Sequence, residues 1–480
     1  MSVIRNSIYV SFIENYSITL LQFIGSIVIA RLLTPSEIGV FSIAVLLSGL
    51  AGTVRDFGVT QYLIQEKDLT DGKIRAAMAL SIGIAWFLAV VLLLLSGPVA
   101  RFYREPGIAG AVIVLASTFL LVPFGSVVMA MLRRELRYWA IFRIRVGSTL
   151  VATTLSIALA MHGFGYMSLA WSALGGVVAT ILLCGLHRPA GLPRLPSISQ
   201  VPQVFSFSGP VVLTRVISEL SRAIPELAVG KAQTMESVGL LGRALGLRAI
   251  QDKVLMSALW SVVLPYFSKL ERERGNLRTS YARVQAYVTG VAWPMLAFLA
   301  GAASPIIAVL YGPQWDASAP PLRILCVAGM VASALPFFSA VLLARGRADA
   351  PLKMQLLCAP FRLVAVVVSA PFGLLAVSSA LVAASLLDLA VCYGYLRRLA
   401  EVDWRDLLDG SARSIGVTIA SGIGPAWFGG SIAPVDLSPI VALLAASATA
   451  ALGWLAAIYL FKHPVRQEIA VVARRLRDRA

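Results

Sequence analysis

Runs of about twenty apolar residues recur along this chain with little between them, and that recurrence decides what the chain can fold into. A helix needs about 20 apolar residues to cross the hydrocarbon of a bilayer. Windows that fit lie near 7–30, 38–62, 77–100, 108–131, 144–161, 165–186, 205–230, 236–266, 286–311, 322–344, 354–371, 374–396, 412–430 and 439–461. They predict an all-α polytopic membrane protein with about fourteen transmembrane helices. Composition agrees: 58% of residues are hydrophobic and only 14% charged, against about 25% charged in an average soluble domain. A soluble protein of this length needs more polar surface than the chain can supply.

Lys and Arg in the connections test the count independently, because cytoplasmic loops are enriched in them. With the N-terminus inside, most of the 41 Lys and Arg residues fall in inner segments, as in Arg133, Arg134, Arg137, Arg143 and Arg145, or Lys269, Arg272, Arg274, Arg278 and Arg283. Outer connections hold only Arg31, Arg101, Arg104 and Lys231. A miscounted helix would invert this alternation from that point on, and no inversion appears. Both termini are therefore expected in the cytoplasm. The net charge of +17 is scattered between apolar runs, which excludes the concentrated patch of a nucleic-acid-binding domain and favours contact with anionic membrane lipid.

The four cysteines (Cys184, Cys326, Cys358, Cys392) share no C-x-x-C spacing, and the three histidines (His162, His187, His463) form no cluster. They read as buried hydrophobes and loop residues, so no metal or cofactor is expected. Glu14, Asn15 and Tyr16 interrupt the first apolar run, which argues against a cleavable signal peptide.

A basic, Pro-rich segment over 187–204 divides a six-helix half (1–186) from a second (205–397). A cytoplasmic loop (398–411) leads to an appended helix pair (412–461) and a basic cytoplasmic tail (462–480). The halves echo each other: Thr34, Gly39 and Ala44 recur as Thr234, Gly239 and Ala244, and Phe164-Gly165 recurs as Phe372-Gly373. An even number of helices per half implies a parallel repeat, as in some secondary transporters. No long external loop is available to build an enzyme site, so catalysis is not expected.

Charged residues inside apolar windows are costly, about 2.5–3.5 kcal/mol each at mid-bilayer, and mark polar interiors. Arg215, Glu219, Arg222 and Glu226 in the seventh window fall within an arc roughly 60° wide, where Arg215–Glu219 and Arg222–Glu226 are i,i+4 pairs. Pro225 favours a kink beside them. This stripe is expected either to satisfy itself or to line a polar cavity. The eighth window adds Arg243, Arg248, Asp252 and Lys253, with Arg248–Asp252 again i,i+4. Glu14 lies in a polar stripe of the first window with Ser7, Ser11, Asn15 and Gln22, at a depth that suits a shared cavity with Arg215. Arg55, Asp56, Arg362 and Asp388 read as packed pairs or interfacial anchors. Cations outnumber carboxylates across the seventh and eighth windows, which suits an anionic ligand. The planar fork of Arg holds phosphate oxygens bidentately. Arg215, Arg222, Arg243 and Arg248 are thus candidate substrate-binding residues, and Glu14, Glu219 and Glu226 are candidates for ion coupling or pairing.

Four stretches resemble the polysaccharide exporter (oligosaccharide flippase) family of the multidrug/oligosaccharidyl-lipid/polysaccharide (MOP) superfamily. They are Ala30-Arg31-Leu32-Leu33-Thr34-Pro35-Ser36-Glu37-Ile38-Gly39; Asp56-Phe57-Gly58 with Leu63-Ile64-Gln65; Leu310-Tyr311-Gly312-Pro313-Gln314-Trp315; and Gly346-Arg347-Ala348-Asp349. These are turn and packing motifs that identify a fold better than a substrate. The resemblance implies a V-shaped bundle of two six-helix halves plus two C-terminal helices. The implied job is moving an undecaprenyl-diphosphate-linked oligosaccharide across a bacterial inner membrane by alternating access, with polysaccharide polymerase or export machinery as further partners. A multidrug or metabolite exporter of the same superfamily would share the fold but use mainly carboxylates. A membrane-embedded polysaccharide polymerase or ligase is disfavoured by the short loops. The glycan, the type of polysaccharide, the coupling ion and the oligomeric state stay open.

Overall fold

A computed structural model describes residues 2–55, 59–189, 192, 195–197, 209–347, 349–430, 432 and 437–468. The Asp56-Phe57-Gly58 motif, Ala348, most of the 187–204 segment and the end of the basic tail lie outside the described residues. Among the described residues the regular structure is entirely helical. The chain divides into two compact units, Met1–Gly239 and Leu240–Ala480.

The first unit comprises α1 (Ser2–Leu32), α2 (Pro35–Arg55), α3 (Val59–Gln65), α4 (Asp71–Tyr103), α5 (Gly107–Leu121), α6 (Pro123–Arg134), α7 (Tyr138–Met161), α8 (Met167–Leu186), α9 (Gly209–Ala232) and the start of α10 (Met235–Gln251). Helix α7 packs between α1 and α8, and α5 packs against α2, α4 and α8. The Thr34-Pro35-Ser36-Glu37 stretch forms a capping box. Thr34 donates its backbone N–H (2.8 Å) and its hydroxyl (2.9 Å) to Glu37 Oε2, and Glu37 N–H donates to Thr34 Oγ1 at 3.3 Å. Pro35 stands at the first helical position, where its missing N–H costs nothing. In the corresponding corner before α10, Ser237 N–H donates to Thr234 Oγ1 at 3.2 Å.

These two corners pack on each other through glycine. A Cβ on Gly39 would sit 1.8 Å from the Met235 carbonyl oxygen, and one on Gly239 would sit 2.0 Å from that of Pro35. The recurring Gly39 and Gly239 are therefore two sides of one backbone contact. Helix α9 packs against α2 and is tied to the end of α4, where Tyr103 donates to Leu227 O (3.2 Å) and Lys231 Nζ to Phe102 O (2.7 Å). The break between α5 and α6 bends the window by 51° at Pro123, which cannot donate to the preceding turn.

In the second unit, α10 runs through a π-helical segment, Asp252–Met256, into α11 (Ser257–Arg272). It continues as α12 (Leu277–Gly301), α13 (Ala303–Leu310), a 3-10 turn (Pro313–Ser318), α14 (Ala319–Ala332), α15 (Phe338–Ala344), α16 (Ala350–Ser369), α17 (Leu374–Ala400), α18 (Trp404–Phe428) and α19 (Pro439–Leu460). Helix α18 packs along α12, and α19 packs along α18. Small residues permit the approach: a Cβ on Gly453 would sit 2.5 Å from Ala420 O, and one on Gly429 would sit 2.0 Å from Gly301 O. Polar groups are buried between these helices. Gln285 Nε2 donates to Ser411 Oγ (3.0 Å), Thr289 Oγ1 meets Ser414 Oγ (2.8 Å), and Ser414 Oγ meets His463 Nε2 (3.1 Å). The C-terminal turn is thereby locked onto α12 and α18.

Every predicted window is occupied by a helix or a broken helix among the described residues. Nine of the described helices are long and apolar enough to cross a membrane, or ten if the bent α5–α6 pair is one span. The windows outside that set carry their charges mid-helix (α9), a π segment (α10–α11), a break at Ser333–Phe337 (α14–α15) or a charged first stretch (α18). Several helices start earlier than their windows: α4 at Asp71 rather than 77, α7 at Tyr138 rather than 144, α12 at Leu277 rather than 286 and α18 at Trp404 rather than 412. Hydropathy stops at the last arginine, whereas the backbone continues through Arg143 and Arg145.

Candidate functional site

The charged stripe of α9 forms one of its expected contacts differently. Arg222 Nη2 donates to Glu219 Oε1 at 2.7 Å, an i,i+3 pair, in place of the i,i+4 partner Glu226. The pair stands open, with side-chain exposures of 72% and 40%. Exposure of two charges in mid-helix is incompatible with a hydrocarbon surface and requires a polar one. Glu226, half-buried beside Pro225, has no hydrogen-bond or ion-pair partner among the described residues. Arg215 lies in α9 by its backbone, and its side chain falls outside the described ones.

In the second unit, Arg248 pairs with Asp252 at 2.9 Å, as its spacing predicts. Its guanidinium lies against α14, where a Cβ on Gly329 would sit 3.0 Å from Nε, so glycine there makes the room. Arg243 lies between aromatic rings, 5.0 Å from the centroid of Tyr311 and 5.1 Å from that of Trp315. Both rings are buried, and Arg243 Nε has no hydrogen-bond partner. The Leu310-to-Trp315 motif therefore supplies a cation–π cradle for Arg243, a role that spacing alone does not reveal. Gly312 within it has φ +98°, which favours glycine.

Two further pairs complete the set. Glu14, 3% exposed, accepts from Arg145 Nη1 at 2.5 Å, joining α1 to α7. Arg145 was expected in an inner connection; the only sequence signal for its partnership is the unpaired carboxylate of Glu14 at similar depth. Arg362 on α16 pairs with Asp388 on α17, so two residues singled out separately meet each other. They line a cavity of about 350 Å³ together with Gln355, Cys358, Met354 and Cys392. All four cysteines are buried free thiols. Among the described residues, no three His, Cys, Asp or Glu side chains converge as metal ligands.

Outside the spanning segments, the fourth motif is also a turn device. Asp349 faces Arg347 at 3.2 Å and Lys353 at 2.7 Å, and these cations hold its carboxyl well below the usual range. Gly346 (φ +72°) allows the turn.

Spanning helices with Arg–carboxylate pairs among them make this a multi-pass membrane protein. The same fold is seen in the solved lipid II flippase MurJ in its inward closed conformation. It superposes with a TM-score of 0.75 over 95% of this chain and 98% of that one, at 13% identity. A model of the polysaccharide biosynthesis protein family matches residues 28–320, and this chain belongs to that family. Relatives include the lipopolysaccharide biosynthesis protein WzxC of Escherichia coli K12, 23% identical over 68% of this chain and 67% of that protein. The teichuronic acid biosynthesis protein TuaB of Bacillus subtilis 168 is 23% identical over 70% of each chain.

Proposed function

We propose that this protein is a flippase for an undecaprenyl-diphosphate-linked oligosaccharide repeat unit, working by alternating access in a bacterial inner membrane. The observation that carries the proposal is the open Arg222–Glu219 pair in the middle of α9. An exposed ion pair there needs a wet interior, and the surplus of Lys and Arg over carboxylates from α9 through the π segment suits a diphosphate. The diphosphate is the part of such a substrate that hydrocarbon rejects most strongly. The prenyl tail would stay in lipid while diphosphate and sugars cross. The names of the family, of WzxC and TuaB, and of MurJ as a lipid II flippase support this reading.

The distribution of Lys and Arg supports cytoplasmic termini, and the echo between halves supports division at 187–204 with the α18–α19 pair appended. No catalytic step is assigned to the chain, and polymerase or export machinery would act on what it delivers. Arg215 and Arg222 in the first unit and Arg248 in the second are each proposed as substrate-binding residues, Arg222 and Arg248 each being held by one carboxylate. Arg243, held between rings, is proposed to add positive potential. Coupling to a proton or Na⁺ is best served by Glu226, whose carboxyl is without a partner among the described residues, or by Glu219. Wild-type transport by the combined Glu219→Gln, Glu226→Gln variant would sink that assignment.

Deleting the gene tests the function. Loss of surface polysaccharide, with complete repeat units accumulating on the lipid carrier, is the expected result. Loss without accumulation would move the block to synthesis, the polymerase or enzyme reading. Unchanged polysaccharide in a strain with no second flippase would favour small-molecule export, the other reading of this fold.

A further inference from the structure

Arg145 sits seven residues beyond Tyr138, the first residue of α7, which places it ~10 Å along the helix axis. Its partner Glu14 lies on α1. The two meet across the α1–α7 seam with unequal burial: the Glu14 side chain is 4% exposed and that of Arg145 is 40%. Glu14 is thus enclosed by protein and takes one N–H of the guanidinium. The remaining donors of Arg145 have no partner among the described residues. A guanidinium carries five N–H donors in a fixed fork, so donors of this partly exposed one are left for another acceptor.

Hydrocarbon cannot be what receives it, given the cost of an unsatisfied Arg at membrane depth. A lone Arg near a helix end snorkels toward the head groups and needs no buried carboxylate. Here the carboxylate fixes the fork sideways, against α1. The end of α6, the turn and the start of α7 expose Arg133, Arg137 and Arg143 against one exposed carboxylate, Glu135, which lies 3.8 Å from Arg137, so cations outnumber carboxylates there.

We propose that Arg145, oriented by Glu14 as a positioning residue, holds a phosphate of the substrate's diphosphate as it leaves the cytoplasmic head-group layer. This rests on the flippase reading and on the orientation argued above, and it places a phosphate contact on the α1–α7 seam of the first unit. The partial neutralisation of Arg145 by Glu14 leaves the site attractive to a diphosphate without trapping it.

The test is binding of farnesyl diphosphate to the purified protein in phosphatidylcholine nanodiscs. Wild type should bind. Arg145→Ala should bind ~10-fold more weakly, the loss of one charge-assisted contact. Arg145→Lys should bind several-fold more weakly, because the charge stays and the fork goes. The decisive variant exchanges the pair, Glu14→Arg with Arg145→Glu. It keeps the ion pair and so should keep the melting temperature, but it presents a carboxylate outward and should lose binding at least ~10-fold. A purely structural pair would leave the exchanged protein binding like wild type, which would overturn the inference. Should that variant fail to fold, Arg145→Lys decides: unchanged affinity overturns the proposal. Equal competition by phosphatidylglycerol would make this an ordinary lipid head-group site and would also overturn it. If wild type does not bind farnesyl diphosphate while the deletion strain still accumulates lipid-linked repeat units, this inference fails and the flippase reading stands.

Discussion

At the residue scale, a single methyl group probes the contact between the two corner motifs. Gly39 and Gly239 face backbone carbonyls that a Cβ would strike at 1.8 and 2.0 Å. Backbone cannot rotate away as a side chain tip can, so Gly39→Ala and Gly239→Ala are each expected to destabilise by about 1–3 kcal/mol or more. Because both act on one contact, the double variant should cost less than the two effects added. Melting temperatures in detergent check this, and unchanged values for both single variants would refute the close crossing. Arg243→Lys tests the aromatic cradle. Lys keeps the charge but loses the planar face that stacks on Tyr311 and Trp315, with an expected loss of about 1–2 kcal/mol. Equal stability of Arg243→Lys and wild type would show that stacking does not hold this residue.

At the element scale, the α18–α19 pair is locked to α12 through a buried histidine. His463 is fully buried, accepts from Val465 N–H through Nδ1 at 3.3 Å, and fills the space left open by Gly290. Burial, and secondarily the charge of Arg413, holds its imidazole down at about 4 against an ordinary 6.5. The folded state therefore disfavours the charged form. The stability this group contributes is complete above pH 6.5 and drains away as the pH falls toward 4. A melting temperature followed from pH 7 to 4 should decline, and His463→Gln, which cannot charge, should flatten part of that decline. An identical pH profile for the two proteins would remove His463 from this role. The break at Ser333–Phe337 and the π segment at Asp252–Met256 belong to the same scale. Irregular backbone at membrane depth persists only where protein or a wet cavity satisfies it, and Leu335 lines the 350 Å³ cavity together with Arg362 and Asp388.

For the whole molecule, the charge asymmetry of the connections makes a topological prediction. A fluorescent protein fused after Ala480 should fold and fluoresce, and alkaline phosphatase fused there should be inactive, as the proposed cytoplasmic placement of both ends requires. The opposite result would reverse every loop and move the Arg145 site to the outer face. The excess of Lys and Arg on one side acts during insertion, before tertiary structure exists, which is why it can be read without coordinates.

The sequence alone determined the all-α membrane fold, the positions of the helical windows and the family motifs, because lipid forces each segment to satisfy its own backbone. It also placed Arg248 beside Asp252, since i,i+4 neighbours on one helix need no tertiary information. Tertiary structure decided the rest. Which residues meet across helices depends on helix rotation and spacing, so the pairing of Glu14 with Arg145, Arg362 with Asp388, and Arg243 with Tyr311 and Trp315 had no local signal. The choice of Glu219 over Glu226 by Arg222 was open on one helix face, where both spacings are within reach. The fold leaves one carboxylate paired and the other without a partner among the described residues.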